Sequence, residues 1–149
     1  MRHLVIGFLC AVFIFSIATS ATADDPAGII KTVQGTASIV RQEKVVPAAY
    51  GQKIFKGDTL KTGPDGSLGI IFEDDTLLSL GPKSEVVIDE YIFAPAQSNM
   101  SIVIRMIKGT ASYLSGIIAK LSPQSVKFVT PTATLGIRGT SFFAEVEEK

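Results

Sequence analysis

The sequence predicts an all-β domain of short strands that bend at glycines, built as a sandwich or roll or as a short β-helical stack. Its apolar runs are short, rich in Val, Ile, Phe and Thr, and alternate with polar residues at a period of two. Gly, Pro and Asp interrupt these runs at intervals of about ten residues, which is typical of sandwiches and barrels. A Gly-Thr pair also recurs in three similar stretches, beginning at Gly35, Gly109 and Gly139.

Five stretches show the strand pattern most clearly. They are SLGIIF (67–72), TLLSL (76–80), EVVIDEYIF (85–93), IVIRMI (102–107) and VKFV (126–129). In each of them, alternate apolar residues define one face that can pack on a core. The stretch YLSGIIAKL (113–121) fits a strand or a helical turn equally well.

Turn residues separate these runs. Pro64-Asp65-Gly66 predicts a β-turn, because proline presets φ and glycine tolerates positive φ. The acidic triplet Glu73-Asp74-Asp75 lies between two runs, so we expect a hairpin end there. The patternless segment APAQSN (94–99) is expected to join two parts of one domain.

The repeated Gly-Thr pair predicts corners in the backbone. Its unequal spacing does not support a regular solenoid. A glycine inside a strand pattern marks a bulge, a sharp bend or a close approach of another backbone. We therefore expect strands that bend at Gly35, Gly109 and Gly139 and wrap around one core.

Residues 1–23 have the organisation of a secretory signal peptide, which leaves one domain at 24–149. Arg2 and His3 precede an apolar run over 4–18, and Ala21-Thr22-Ala23 is a small-x-small cleavage site. The apolar run is shorter than the roughly 20 residues that a spanning helix needs. Cleavage after Ala23 predicts a periplasmic or secreted protein without stable membrane insertion.

Composition narrows the function classes further. The chain has one Cys and one His, Cys10 and His3, and both lie within the predicted leader. The usual nucleophile and base pairs of enzymes are therefore absent from 24–149, and we expect neither catalysis nor a cofactor. The 14 basic and 14 acidic residues balance, and no basic tract stands out, which argues against nucleic acid as a partner.

Two stretches resemble the FecR domain, the periplasmic domain of iron-citrate-type signalling regulators. They are GDTLKTGPDGSLGIIFEDDTLLSLGPKSEVVIDEYIF (57–93) and TPTATLGIRGTSF (130–142), and the likeness runs from about Val33 to Val146. The positions that carry it are Gly57, Asp58, Thr62, Gly66, Phe72, Thr76, Ser84, Gly136, Arg138, Gly139 and Thr140.

The resemblance implies an all-β domain facing the periplasm. Full regulators of that type add a cytoplasmic portion that acts on a sigma factor, a membrane span and a further C-terminal module. With a leader at its N-terminus, this chain is expected to be the domain alone, exported. Binding or scaffolding in the cell envelope is then the expected role, with an unknown protein or an envelope polysaccharide as partner. The alternative is a sensor that acts through a separate membrane protein.

Candidate site residues are few. Arg138, flanked by glycines, could present its guanidinium to a carboxylate or sugar ligand. We favour a structural role, in which Arg138 is buried and bonded to loop carbonyls or to an acid such as Asp58 or Asp89. Glu73, Asp74 and Asp75 are weak candidates for a metal site, although three consecutive acids cannot all point inward. Gly35, Gly57, Asp58, Gly66, Gly109, Gly136, Gly139 and Thr140 are expected to be structural.

Overall fold

The computed structural model describes residues 23–148. It contains twelve strands, namely β1 (Gly28–Gln34), β2 (Ala37–Arg41), β3 (Lys44–Pro47), β4 (Lys53–Ile54), β5 (Thr59–Thr62), β6 (Ser67–Phe72), β7 (Leu77–Leu80), β8 (Glu85–Ala94), β9 (Asn99–Leu114), β10 (Val126–Val129), β11 (Thr134–Gly136) and β12 (Ser141–Val146). One short helix, α1 (Ile117–Leu121), and 3-10 turns at Pro95–Gln97 and Pro123–Ser125 complete it. The all-β prediction is confirmed.

The strands form one curled, half-barrel sheet that folds into two halves. Half A has the order β4-β1-β6-β7-β9-β12, and half B has the order β3-β2-β5-β8-β9-β10-β11. Every pairing is antiparallel except that of β9 with β10. Strand β9 belongs to both halves: its residues 99–108 pair with β8 in half B, and its residues 111–114 pair with β7 in half A. Of the architectures predicted, the structure has the roll.

The chain passes between the halves at four places that lie side by side, which we call the corner seam. They are Gly35-Thr36, Gly63–Gly66, Gly81–Ser84 and the bend of β9 at Gly109. Hydrogen bonds join each corner to the next: the Gly63 amide donates to Thr36 O at 2.8 Å, and the Lys83 amide donates to Gly63 O at 3.0 Å. The Gly-Thr stretches at Gly35 and Gly109 therefore mark bends within this seam, as predicted.

Left-handed backbone explains why glycine stands at these two bends. Gly35 has φ +59° and Gly109 has φ +94°. A Cβ at Gly35 would overlap Asp65 O, and one at Gly109 would overlap Ser84. Gly66 has an ordinary φ, but a Cβ there would collide with Thr36 O inside the seam. A side chain at any of the three would displace neighbouring backbone.

The third Gly-Thr stretch, Gly139-Thr140, is also a bend, but it lies in a loop rather than within a strand. Gly139 lies in the loop between β11 and β12, without left-handed φ and with open space where a Cβ would stand. A Cβ at Gly136, at the end of β11, would also meet open space. The loop does carry the chain from half B to half A, but it connects two separate strands.

The core lies inside the curl and follows the alternation of the strands. Its buried residues are Ala27, Ile30, Ala37, Ile39, Ile54, Leu60, Leu68, Ile70, Phe72, Leu78, Leu80, Val86, Ile88, Ile102, Ile104, Met106, Ala111, Tyr113, Ile118, Val126, Phe128, Ile137 and Ala144. Phe142 of β12 stacks on Tyr113 with ring centroids 5.1 Å apart and meets Phe128 edge-on at 5.0 Å. These aromatic contacts fix β12 and β10 against β9.

Two open points of the sequence are resolved. The 113–121 segment is both: β9 ends at Leu114, and a helical turn, α1, follows at Ile117–Leu121. The Pro64-Asp65-Gly66 turn forms as predicted, with the Gly66 amide donating to Gly63 O at 3.0 Å.

The predicted leader falls on 1–23 and lies outside the described residues, apart from Ala23. Within 23–148, no helix is long and apolar enough to cross a membrane.

Candidate functional site

Arg138 lies in the loop that joins β11 to β12, and its side chain is exposed. The expectation that it is buried is wrong. The acids expected to pair with it are held by other arginines: Asp58 by Arg41 and Asp89 by Arg105. The four ion pairs within residues 23–148 leave the Arg138 guanidinium out.

The loop around Arg138 is held by its ends. Ser115 fixes the far end, because its amide donates to Thr140 O at 2.7 Å and its hydroxyl donates to Gly139 O at 2.7 Å. Ile137 is buried and anchors the middle of the loop in the core. Gly139 and Thr140 thus hold the loop by accepting hydrogen bonds at their carbonyl oxygens, whereas the Arg138 side chain projects outward.

Arg138 lines an open cleft of about 420 Å³ together with Lys127 of β10. Lys127 is exposed and lies opposite Gly136 in the β10–β11 pair. The other lining residues are Pro123, Gln124, Val126, Thr134, Gly136 and Ile137, and no acid is among them. Two cations and an amide therefore face one concave surface without a carboxylate beside them, which suits an anionic or hydrogen-bond-accepting group.

Asp58 belongs to a separate, structural cluster. Its carboxylate is buried and binds Arg41 in bidentate fashion, with Nε–Oδ1 at 2.7 Å and Nη2–Oδ2 at 2.6 Å. It also accepts the Phe55 amide at 2.8 Å. The Arg41 guanidinium lies 4.6 Å from the centre of the Phe55 ring and donates to Lys53 O. The hydrogen bonds to Asp58 raise the pKa of Arg41 above its usual value.

This cluster forms the wall of a second cleft of about 630 Å³, lined also by Asp24, Asp25, Lys53 and Lys56. Acids and bases are mixed here, in contrast to the Arg138 cleft. Gly57, next to Asp58, has φ +87° with open space around it, so its left-handed backbone shapes the turn into β5. Gly57 thus sets the course of this turn, and Asp58 forms its buried ion pair with Arg41.

The acidic triplet does not converge on one point. Glu73 and Asp75 are exposed, and Asp74 is fully buried. The Asp74 carboxylate accepts hydrogen bonds from Thr76 Oγ1 at 2.8 Å, from the Ile118 amide at 3.2 Å and from Tyr91 Oη at 3.2 Å. Within 23–148, no group of three acids, histidines or cysteines is arranged to hold a metal ion. The triplet does end a hairpin, but its middle residue joins that hairpin to α1 and β8.

Two aromatic hydroxyls near this cluster are perturbed. Burial, together with the Asp74 charge, raises the pKa of Tyr91 far above its ordinary value. Burial raises the pKa of Tyr113 to about 12.

A protein-family comparison agrees with these motifs. The model described as FecR protein matches residues 58–149, which is more than half of the chain. The chain belongs to the FecR family. The match includes Asp58, Gly66, Gly109 and the Arg138 loop, whereas the first corner, at Gly35, precedes it. Comparisons with curated proteins and with solved structures gave no match.

FecR domains are periplasmic domains of signalling regulators that act through protein partners, and they are regulatory rather than catalytic. Sequence reasoning had singled out Arg138 from this motif but had missed Lys127 and Arg41. Lys127 had a usable signal, because it is the outward-facing polar residue of the run VKFV. Arg41 had no such signal for Asp58 as its partner, since Asp58 lies 17 residues further along the chain, in the turn before β5.

Proposed function

We propose that this FecR domain is an exported, non-catalytic binding or scaffold module of the periplasm or cell envelope. We further propose that the cleft beside Arg138 and Lys127 receives a carboxylate-bearing part of its partner. The supporting observation is the exposed Arg138 guanidinium, which shares a cleft with a second cation and with no acid. Family membership supports a role carried out through partners.

The chemistry of the cleft favours a carboxylate. A guanidinium offers two parallel N–H donors that match the two oxygens of a carboxylate, and Lys127 adds a second positive charge. Peptides and acidic envelope polysaccharides both carry this group. Val126 and Ile137, the neighbours of Lys127 and Arg138, are buried, so the backbone that carries both cations is anchored in the core.

The second candidate function is a sensor that acts through a separate membrane protein. It is favoured by the association of FecR domains with signalling regulators. The two candidate functions differ in the partner that would be captured with the protein. A sensor is expected to bind one membrane protein in fixed proportion. A scaffold is expected to bind polysaccharide or several envelope components.

A capture experiment from the envelope fraction tests the proposal. Tagged wild-type protein is compared with Arg138→Ala, Lys127→Ala and the control Lys31→Ala, which removes an exposed cation on β1 away from the cleft. We expect Arg138→Ala and Lys127→Ala to lose the captured component and Lys31→Ala to retain it. Equal capture by all four proteins, with unchanged circular dichroism, would remove the cleft from the proposal.

A further inference from the structure

Strand β12 leaves one long edge of the sheet open. It pairs with β9 on one side, from Ser141 opposite Leu114 to Val146 opposite Gly109, and no described strand lies on its other side. We propose that this edge pairs with β12 of a second copy of the chain, antiparallel and about a twofold axis. This inference is independent of the Arg138 cleft, so either can fail alone.

The other open edges are short or blunted, and β12 is neither. Strand β4 has two residues and β11 has three, while β3 carries Lys44 and Pro47 at its ends. Lysine and proline on edge strands are the usual protection against pairing with another chain. Strand β12 has six residues, SFFAEV, with neither of them. It therefore has the free backbone that an added strand requires.

The direction of the free backbone groups follows from one hydrogen bond. The Ser115 amide donates to Thr140 O at 2.7 Å, so this opposed pair is a hydrogen-bonded one. Hydrogen-bonded and non-bonded pairs alternate in an antiparallel ladder. Residues 142, 144 and 146 are then bonded to β9, and Ser141, Phe143 and Glu145 point their N–H and C=O groups outward.

One register satisfies all of these outward groups at once. It places Phe143 opposite Phe143 of the second copy and Ser141 opposite its Glu145. All three outward residues then form hydrogen-bonded pairs, and no like charges oppose each other. Aromatic pairs across strands are among the stabilising ones, and Phe143 is 67% exposed in the single chain. A register shifted by two residues would instead oppose Phe143 to Glu145.

The outer face of half A continues this apolar surface. A row across the sheet brings together Ile29, Ile71, Leu77 and Leu114, each directly opposite the next. Leu77 and Leu114 are 39% and 43% exposed. Phe143 lies diagonally beside Leu114, so pairing two β12 strands would bring the rows of both copies into one continuous band and cover part of each.

Sedimentation equilibrium of the protein recovered from the envelope fraction tests the proposal. We expect a concentration-dependent dimer. The Phe143→Lys variant should raise its dissociation constant about tenfold or more, because a charge would lie opposite its own copy. The matched control is Val45→Lys on the β3 edge, where the residue is 69% exposed. It should leave the dimer unchanged, and circular dichroism should show that both variants are folded.

Cross-linking tests the register. In a Cys10→Ser background, Phe143→Cys should form a disulfide between two copies, because the opposed Cα atoms fall within disulfide range. Glu145→Cys should not, because it lies opposite Ser141. A protein that stays monomeric at high micromolar concentration, or a dimer that Phe143→Lys leaves intact, would overturn the proposal. Cross-linking through Glu145→Cys alone would overturn the register.

Discussion

Gly109 lies directly against Ser84 where β9 bends from one half of the sheet to the other. Ser84 Oγ accepts the Thr110 amide at 2.9 Å and lies 2.8 Å from Gly81 O and 3.0 Å from Thr110 O. Its single proton thus donates to one of the carbonyls that surround it in the corner seam. This contact closes the corner seam at β9, the strand that belongs to both halves of the sheet. The bend brings Ser84 so close to position 109 that only glycine fits there.

Replacing Gly109 by valine is expected to destabilise the fold strongly. The backbone there has φ +94°, and a Cβ would overlap Ser84. Strain of this kind costs roughly 1–3 kcal/mol, and displacement of the seam adds to it, so we expect a loss of about 3 kcal/mol or more in urea unfolding. Thr110→Ser should cost far less. The contrast variant is Gly139→Ala, which should change the free energy of unfolding by at most about 0.5 kcal/mol. Similar losses at both glycines would contradict the corner assignment.

The Arg41–Asp58 pair provides a second test of stability. Breaking a buried ion pair costs about 3–5 kcal/mol, but the Arg41 side chain is 37% exposed, so we expect roughly 2–3 kcal/mol for Arg41→Ala. Arg105→Ala is the matched control, because its pair with Asp89 has the same bidentate geometry with side chains 48% and 32% exposed. That variant should cost no more than about 1 kcal/mol. Equal losses in chemical unfolding would show that burial of Asp58 does not matter.

Stability is expected to fall in alkaline solution. Tyr113 keeps its proton to about pH 12 in the folded chain, whereas the unfolded chain releases it near pH 10.0. Between these values the folded state binds more protons than the unfolded state, so the free energy of unfolding decreases as the pH rises. The contribution is fully present below pH 10. Tyr113→Phe should remove it and make unfolding less steeply dependent on pH over this range; an unchanged slope would contradict the assignment.

The predicted leader can be checked by intact-mass measurement. Protein recovered from the envelope fraction should begin at Asp24, because Ala21-Thr22-Ala23 follows an apolar run that is too short to span a bilayer. Retention of Met1 in a membrane fraction would overturn export and cleavage together.

The sequence predicted those parts of the fold that depend on local pattern. Alternation placed β6, β7 and β10, and glycine inside a strand pattern identified the bends at Gly35 and Gly109. The same motif also marks a bend at Gly139, but that bend lies in a loop, because two residues cannot show whether a strand continues beyond them. The bend of β9 at Gly109 is held by Ser84, which lies 25 residues earlier in the chain and was not indicated by the motif.

Arg138 is a candidate residue in both the sequence and the structure, but its environment was predicted wrongly. Arg138 was expected to be buried because a shaped loop leaves carbonyls to be satisfied. Ser115, from the end of β9, satisfies two of them instead, at Gly139 and Thr140. Asp58 and Asp89 were candidate partners for Arg138. In the folded chain Asp58 pairs with Arg41, and Asp89 pairs with Arg105. Such long-range assignments depend on strand register, which local pattern does not specify.

The free energy of unfolding of Arg138→Ala tests most directly whether Arg138 belongs to a binding surface or to the scaffold. Its side chain is exposed and outside the ion pairs of the described residues. We therefore expect a value within about 0.5 kcal/mol of wild type, as for other surface substitutions. A loss of about 3 kcal/mol or more, the cost of breaking a buried charged pair, would contradict the account and return Arg138 to the scaffold.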